Sequence, residues 1–178
     1  AKRPEDFANW AVRSISESLP PYDSDCPFCL GNEEGPDMEL LRLPQTGPWQ
    51  LRVVKNKYPA LGLDGEWQRR FDGVNRWISG VGYHEVVVEA PLHNTSLALQ
   101  APEQIRHALQ AFQMRGGAMA QDSRIEHVIY FKNHGPRAGT SLAHPHSQII
   151  GLPVVPYDVR ARIEEARRYF DDTGNCVY

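Results

Sequence analysis

Cysteine is scarce in this chain: three in 178 residues, two of them spaced as Cys26-Pro27-Phe28-Cys29 and the third at Cys176. So small and odd a number excludes a disulfide scaffold and fits a reducing, cytoplasmic setting. Long apolar runs are missing too; no stretch reaches the roughly 18 residues a membrane span needs. No charged-then-apolar leader opens the sequence, so no secretion is expected. Positive charge is not in excess either. Lys and Arg number 19 against 22 Asp and Glu, for a net charge of −3, which leaves no basic footprint for duplex nucleic acid. Internal repeats and low-complexity tracts are absent. Turn formers are in mild excess, with 14 Gly and 14 Pro, and this argues against a plain helical bundle. With 41% hydrophobic and 23% charged residues, the composition is that of a globular domain. The length suits a single domain over 1–178 whose core needs no staples.

Periodicity supplies the elements. Phe7, Trp10, Ala11 and Ile15 recur at helical spacing, predicting a helix over 4–18 that Pro20-Pro21 stops. A loop over 24–35 carries the Cys pair, with Gly31-Asn32 as its turn signal. A strand is expected over 49–54, then a glycine-punctuated loop or hairpin over 62–82. The run Tyr-His-Glu-Val-Val-Val-Glu over 83–89 is the most β-branched in the chain and predicts a central strand. Ile105, Leu109, Phe112 and Met119 predict one long helix over 102–121, opened by Pro102 where proline is tolerated. Further strands are expected over 127–132 and 146–152, on either side of a glycine-rich loop over 133–143. A charged helix over 158–171 follows. Strands, one helix, then strands make an α+β fold with a mainly antiparallel sheet.

Two constellations carry chemistry. The first is His144-Pro145-His146-Ser147-Gln148, preceded by Gly139-Thr140-Ser141. Alternate residues of a strand share a face, so His144, His146 and Gln148 are expected to line up. Polar groups in that row beside loop amides and hydroxyls suit a bound phosphate, and a neutral imidazole facing phosphorus is a good nucleophile. The competing reading is a pair of solvent-exposed histidines on an edge strand. The second constellation is Cys26-x-x-Cys29, which supplies half of a tetrahedral zinc site; the same spacing serves redox dithiols or a purely structural pair of thiols, but no thioredoxin-like βαβ pattern surrounds it. No second Cys pair exists, so histidines must complete it: His93 and His144 are the foremost candidates, with His84, His107, His127 and His134 as competitors. A third segment, 49–61, reads by periodicity alone as a core strand and a turn.

Taken together these motifs resemble the galactose-1-phosphate uridylyltransferase family of the histidine-triad superfamily. The resemblance runs in order through Arg3-Pro4, Cys-Pro-Phe-Cys with Leu30-Gly31-Asn32, Arg52 to Leu61, Glu89-Ala90-Pro91-Leu92-His93, Phe131 to Gly135, Gly139-Thr140-Ser141 and His-Pro-His-Ser-Gln. It implies a histidine-triad-like fold stapled by a structural zinc ion on Cys26, Cys29, His93 and His144. It implies that His146 attacks the α-phosphorus of a nucleotide sugar, giving a nucleotidyl-histidine intermediate and sugar 1-phosphate. A hexose 1-phosphate then accepts the nucleotidyl group, as in galactose metabolism. Gln148, Asn133, Gly139, Thr140 and Ser141 would meet the phosphates, Asn56 the nucleoside, and Arg3 a substrate phosphate. There are two departures. Lys57 stands where the uridylyltransferases carry an acidic residue contacting the nucleoside, which argues against a uridine preference, and the segment 151–156 resembles the ADP-sugar phosphorylase branch, in which inorganic phosphate can be the acceptor. Alternatives from other classes are a dinucleoside-polyphosphate hydrolase and an inactive nucleotide-binding fragment. The close at 172–178 resembles the start of the family's second half, so the chain is expected to be an N-terminal half, with a homodimer favoured by an open sheet edge.

Overall fold

The computed structural model describes residues 19–177; the helix expected over 4–18 and Arg3 lie outside them. Seven strands and two α-helices follow: β1 (Glu39–Leu43), β2 (Leu51–Lys55), β3 (Arg69–Asp72), β4 (Asn75–Ile78), β5 (Tyr83–Val88), α1 (Pro102–Met119), β6 (His127–Phe131), β7 (His146–Leu152) and α2 (Tyr157–Thr173). Five strands form one sheet in the order β1-β2-β5-β7-β6, and every pairing in it is antiparallel. The α+β class stands. The glycine-punctuated stretch contains the β3–β4 hairpin. The strand over 39–43 is absent from the sequence reading, because Met-Glu-Leu-Leu-Arg-Leu contains no β-branched residue and pattern alone favours no strand there.

Alternation gives the sheet two unlike faces. Val53 of β2, Val87 of β5 and Ile149 of β7 are buried beneath α1, where Ala108, Ala111 and Met119 complete the core with Leu43 and Leu51. Small side chains let the helix lie close. At Gly116 an added Cβ would meet the Tyr130 hydroxyl, so that ring could keep its place only if the residue is glycine. On the same face Arg115 of α1 grips Glu85 of β5 through Nε at 2.8 Å and Nη2 at 2.6 Å. The register of β5 with β7 sets Val86 opposite Gln148 and Val88 opposite His146, so these residues and His84 belong to the other face.

That second face is where the chemistry-bearing residues collect. Strand β7 lies between β5 and β6, so its polar residues are not on an edge. Helix α2 buries none of its residues and ends on Gly174, which adopts φ 70° and donates its N–H to the Phe170 carbonyl at 2.8 Å. Among the described residues, no helix is long and apolar enough to cross a membrane.

Candidate active site and metal centre

Consecutive tight turns shape the loop that carries the two cysteines. Cys26 N–H donates to the Asp23 carbonyl and Cys29 N–H to that of Cys26, each at 3.2 Å. Asn32 then reaches back across the loop. Its amide nitrogen lies 3.0, 3.1 and 2.9 Å from the carbonyls of Asp23, Ser24 and Cys26, so one side chain pins the whole turn. His93 arrives from the loop after β5, tied by its own N–H to the Pro21 carbonyl at 3.0 Å. His144 arrives from the residues just before β7.

These four side chains are buried, and their ligand atoms all lie within 4.8 Å of one another. Cys29 Sγ stands 3.4 Å from His93 Nδ1 and 3.6 Å from His144 Nδ1. A tetrahedron with metal–sulfur and metal–nitrogen bonds of about 2.3 and 2.0–2.1 Å has an S–N edge of about 3.6 Å. The spacing therefore fits a four-coordinate ion. His144 Nε2 lies 2.8 Å from the Ala90 carbonyl; a carbonyl only accepts, so that nitrogen carries the proton and Nδ1 keeps its lone pair for a metal. Burial holds the His144 pKa down to about 4, which keeps the ligand form neutral. Burial also pushes the Cys26 thiol up to about 11, and a thiolate there requires a neighbouring cation. The donor set suits a metal ion.

His144 departs from one expectation. It does not share a strand row with His146 and Gln148, because β7 begins only at His146. Pro145 has no N–H for a ladder, and its carbonyl instead accepts the Glu89 N–H at 3.1 Å. His144 is thereby released into the metal cluster. His146 is 7% exposed, which removes the reading as a solvated edge histidine. Its Nδ1 lies 2.8 Å from the His144 carbonyl, so Nδ1 bears the proton and Nε2 presents an unshared pair. Burial is the main cause that lowers its pKa, with the Lys132 ammonium adding to it; the imidazole is accordingly neutral. Phe28, from between the two cysteines, sets its ring edge-on against both histidines, with centroids at 6.0 Å from His144 and 5.5 Å from His146.

Behind His146 lies a charged network that the motifs did not reveal. Lys132 Nζ donates to Glu89 Oε2 at 2.7 Å and to the His146 carbonyl at 2.9 Å. The Ser147 hydroxyl donates to the other Glu89 oxygen. Further along the row, Gln148 Oε1 sits 2.7 Å from His84 Nε2, and Asn56 Nδ2 lies 3.0 Å from that same nitrogen. Two expected site residues, Gln148 and Asn56, thus converge on a histidine considered from sequence only as a competing metal ligand. Asn133, Gly139 and Ser141 make no hydrogen bond to His146 or Gln148 among the described residues, though their loop runs directly into β7. Gly139 adopts φ 74°, and the buried Thr140 hydroxyl has no partner among the described residues. Lys57 is paired with Glu34 at 2.9 Å.

Residues 81–155 match the family described as "Domain of unknown function (DUF4931) N-terminal domain". Over 179 residues the chain is 42% identical to ADP-glucose phosphorylase of Arabidopsis thaliana, a match covering 99% of this chain and 50% of that protein. It is 28% identical over 173 residues to galactose-1-phosphate uridylyltransferase of Thermotoga maritima, covering 94% of this chain and 51% of the relative. The crystal structure of the Arabidopsis ADP-glucose phosphorylase with bound ADP-glucose superposes with a TM-score of 0.74 at 36% identity, over 87% of this chain and 48% of that one. The chain spans about half the length of the curated relatives it matches.

Proposed function

From the premise that this chain is a homologue of the galactose-1-phosphate uridylyltransferases and of ADP-glucose phosphorylase, we propose that it is the catalytic half of an enzyme that transfers the nucleoside monophosphate of a nucleotide sugar through His146. The observation that carries this is the Nδ1 contact with the His144 carbonyl at 2.8 Å, which leaves Nε2 as a neutral nucleophile. Nε2 forms a bond to the α-phosphorus while the bond from that phosphorus to the bridging oxygen breaks. Sugar 1-phosphate leaves with the electron pair, and the phosphoramidate remains on His146. An acceptor oxygen then attacks the same phosphorus, and the imidazole departs neutral. Gln148 donates its amide to a non-bridging oxygen as charge develops. Asn56 meets the nucleoside, Arg3 a substrate phosphate, and Asn133, Gly139, Thr140 and Ser141 line the phosphate path.

Zinc is the ion best suited to Cys26, Cys29, His93 and His144, because two thiolates and two imidazoles match its preference. Four protein ligands leave no position for substrate, so its contribution is structural. His144 would be a ligand through its side chain and a support for His146 through its carbonyl.

The acceptor separates two readings. A hexose 1-phosphate acceptor makes the enzyme a uridylyltransferase type; inorganic phosphate makes it a nucleotide-sugar phosphorylase. The second is favoured by the 42% identity to a phosphorylase, while Lys57, in place of an acidic nucleoside contact, argues against uridine as the base. The test is incubation of the full-length protein with ADP-, UDP- or GDP-glucose labelled at the α-phosphate. An acid-labile, base-stable label is expected, absent in His146→Asn, and released by phosphate or by a hexose 1-phosphate according to the acceptor. No label from any of these donors refutes the proposal, and release by water alone indicates a hydrolase.

A further inference from the structure

His84 has no assigned role, yet it stands between two proposed substrate-contacting side chains. Its protonation pattern follows from its neighbours. The backbone N–H of Ala60 points at Nδ1 from 2.9 Å, and a backbone amide can only donate. Nδ1 therefore accepts, and the proton of the neutral ring must reside on Nε2. That Nε2–H meets Gln148 Oε1 at 2.7 Å. A side-chain amide can flip, but here the flip would set an NH2 group against an N–H, so the donor fixes oxygen toward His84 and leaves the Gln148 NH2 pointing elsewhere. Asn56 is fixed separately. Its Oδ1 accepts the Tyr58 backbone N–H at 2.9 Å, which turns its NH2 toward His84 Nε2 at 3.0 Å. Donor faces donor there, so the Asn56 hydrogens need an acceptor that His84 does not supply, as an incoming ligand oxygen would.

We propose that His84 is a positioning residue whose Nε2–H locks the Gln148 amide so that its NH2 faces the transferring phosphoryl group. The assignment rests on the nucleotidyl-transfer reading given above. An amide without that lock can turn its oxygen toward the phosphate, where the oxygen lone pair repels the phosphate oxygens and no donor meets the developing charge. The role is distinct from nucleoside binding, because Asn56 keeps its hold on Tyr58 when His84 is removed.

The test is a double-mutant cycle on single-turnover labelling of His146 in the full-length protein, using the nucleotide sugar that labels the wild type. His84→Phe is expected to slow labelling at saturating donor by about tenfold or more, as loss of an oriented phosphate donor does, with half-saturation shifted less than about threefold. In the Gln148→Ala background the same change should slow it less than about twofold, since nothing remains to position. His84→Gln, which restores a donor near Nε2, should recover part of the rate, and His84→Asn, which is too short, should not. Melting temperature and metal content are read alongside; if His84→Phe does not fold, the Gln and Asn pair decides. Losses that multiply in the double variant, or an effect confined to half-saturation, overturn the positioning role while leaving nucleotidyl transfer intact. Absence of label in the wild type overturns both.

Discussion

The ion pair behind His146 yields a stability prediction whose size can be worked out. Lys132→Met removes an ammonium that holds Glu89 Oε2 at 2.7 Å and the His146 carbonyl at 2.9 Å. The Glu89 side chain is 1% exposed and that of Lys132 25%, so the substitution leaves a buried carboxylate with Ser147 as its remaining side-chain donor. Removing one member of a buried pair costs about 3–5 kcal/mol, because the other charge stays desolvated. A quarter of Lys132 still reaches water, which places the cost at the lower end, about 3 kcal/mol. For a chain of this length each kcal/mol moves the melting temperature by about 2–4 °C, so the expected fall is about 6–12 °C by circular dichroism. The double variant Lys132→Met/Glu89→Gln should be less destabilised than the two single losses added together, by about 1 kcal/mol or more, since no unpaired charge remains and Ser147 keeps an acceptor. A Lys132→Met melt within 2 °C of the wild type, or strict additivity in the double variant, would show that the pair is not structurally coupled to the strand that bears His146.

Other consequences follow from single contacts. Cys29→Ala should bind less than a tenth of the wild-type metal and melt at a lower temperature, read by elemental analysis and calorimetry; His107→Ala should retain the metal, and unchanged metal content in Cys29→Ala would refute the ligand set. Gly82→Ala places a Cβ against the Gly151 carbonyl and, at 2.7 Å, against Leu61 Cδ1; a loss of about 2 kcal/mol is expected in urea, as for other overpacked sites. Asp122 takes hydrogen bonds from Arg124 and Tyr83, and the Arg124 side chain foremost holds its carboxyl well below the usual range. A lowered folded pKa means stabilisation that is complete above the unfolded value of about 3.9 and is lost as pH falls below it. The stability difference between wild type and Asp122→Asn should therefore be flat above about pH 5 and shrink toward acid; a difference that grows toward acid would contradict the contact. Strand β6 pairs on one side only, and we propose that its open edge supports a homodimer, checked by light scattering with Val128→Pro as the disrupting variant.

The sequence was most legible where chemistry and local geometry coincide. His146 to Leu152 reads as a strand from Ile149-Ile150 and its alternation, and β7 has those bounds. The spacing of Cys26 and Cys29 alone suits either a metal site or a redox dithiol; for a metal, His93 and His144 are the foremost partners among seven histidines, and the structure brings those four together. What periodicity misplaced was His144, since alternation says nothing about where a strand begins, and Pro145 decides that. What it could not reach was the long-range pairing. Lys132 and Glu89 are 43 residues apart, and His84 and Gln148 are 64 apart; only the sheet order β5-β7-β6 makes them neighbours. A weak signal existed for His84, a polar residue on the same alternation as Val86 and Val88 of β5. Polarity there exceeds what a core strand tolerates without a partner.

Strand β7 shows why the core and the site cannot be varied independently. Its odd residues, Ser147, Ile149 and Gly151, are buried, while Gln148 and Ile150 on the even row are half-buried. Ile149 packs fully buried in the core beneath α1, which stabilises by about 1.5–3 kcal/mol relative to exposure. A slip of one residue against β5 would carry Ile149 to the site face and Gln148 into the core, leaving an amide there without partners. The same burial that holds the register therefore sets His146 opposite Val88 and Gln148 opposite Val86. The Cys and His cluster acts on the remaining freedom: in the proposed reading His144 would bind the metal through its side chain, while its carbonyl orients the His146 ring. Loss of one of the four cluster side chains should accordingly disturb the orientation of His146 before it disturbs the sheet, so Cys29→Ala should lose labelling of His146 at a temperature where its far-ultraviolet spectrum is still that of the wild type. Labelling and β-signal lost together on heating would place the metal's contribution in the sheet itself.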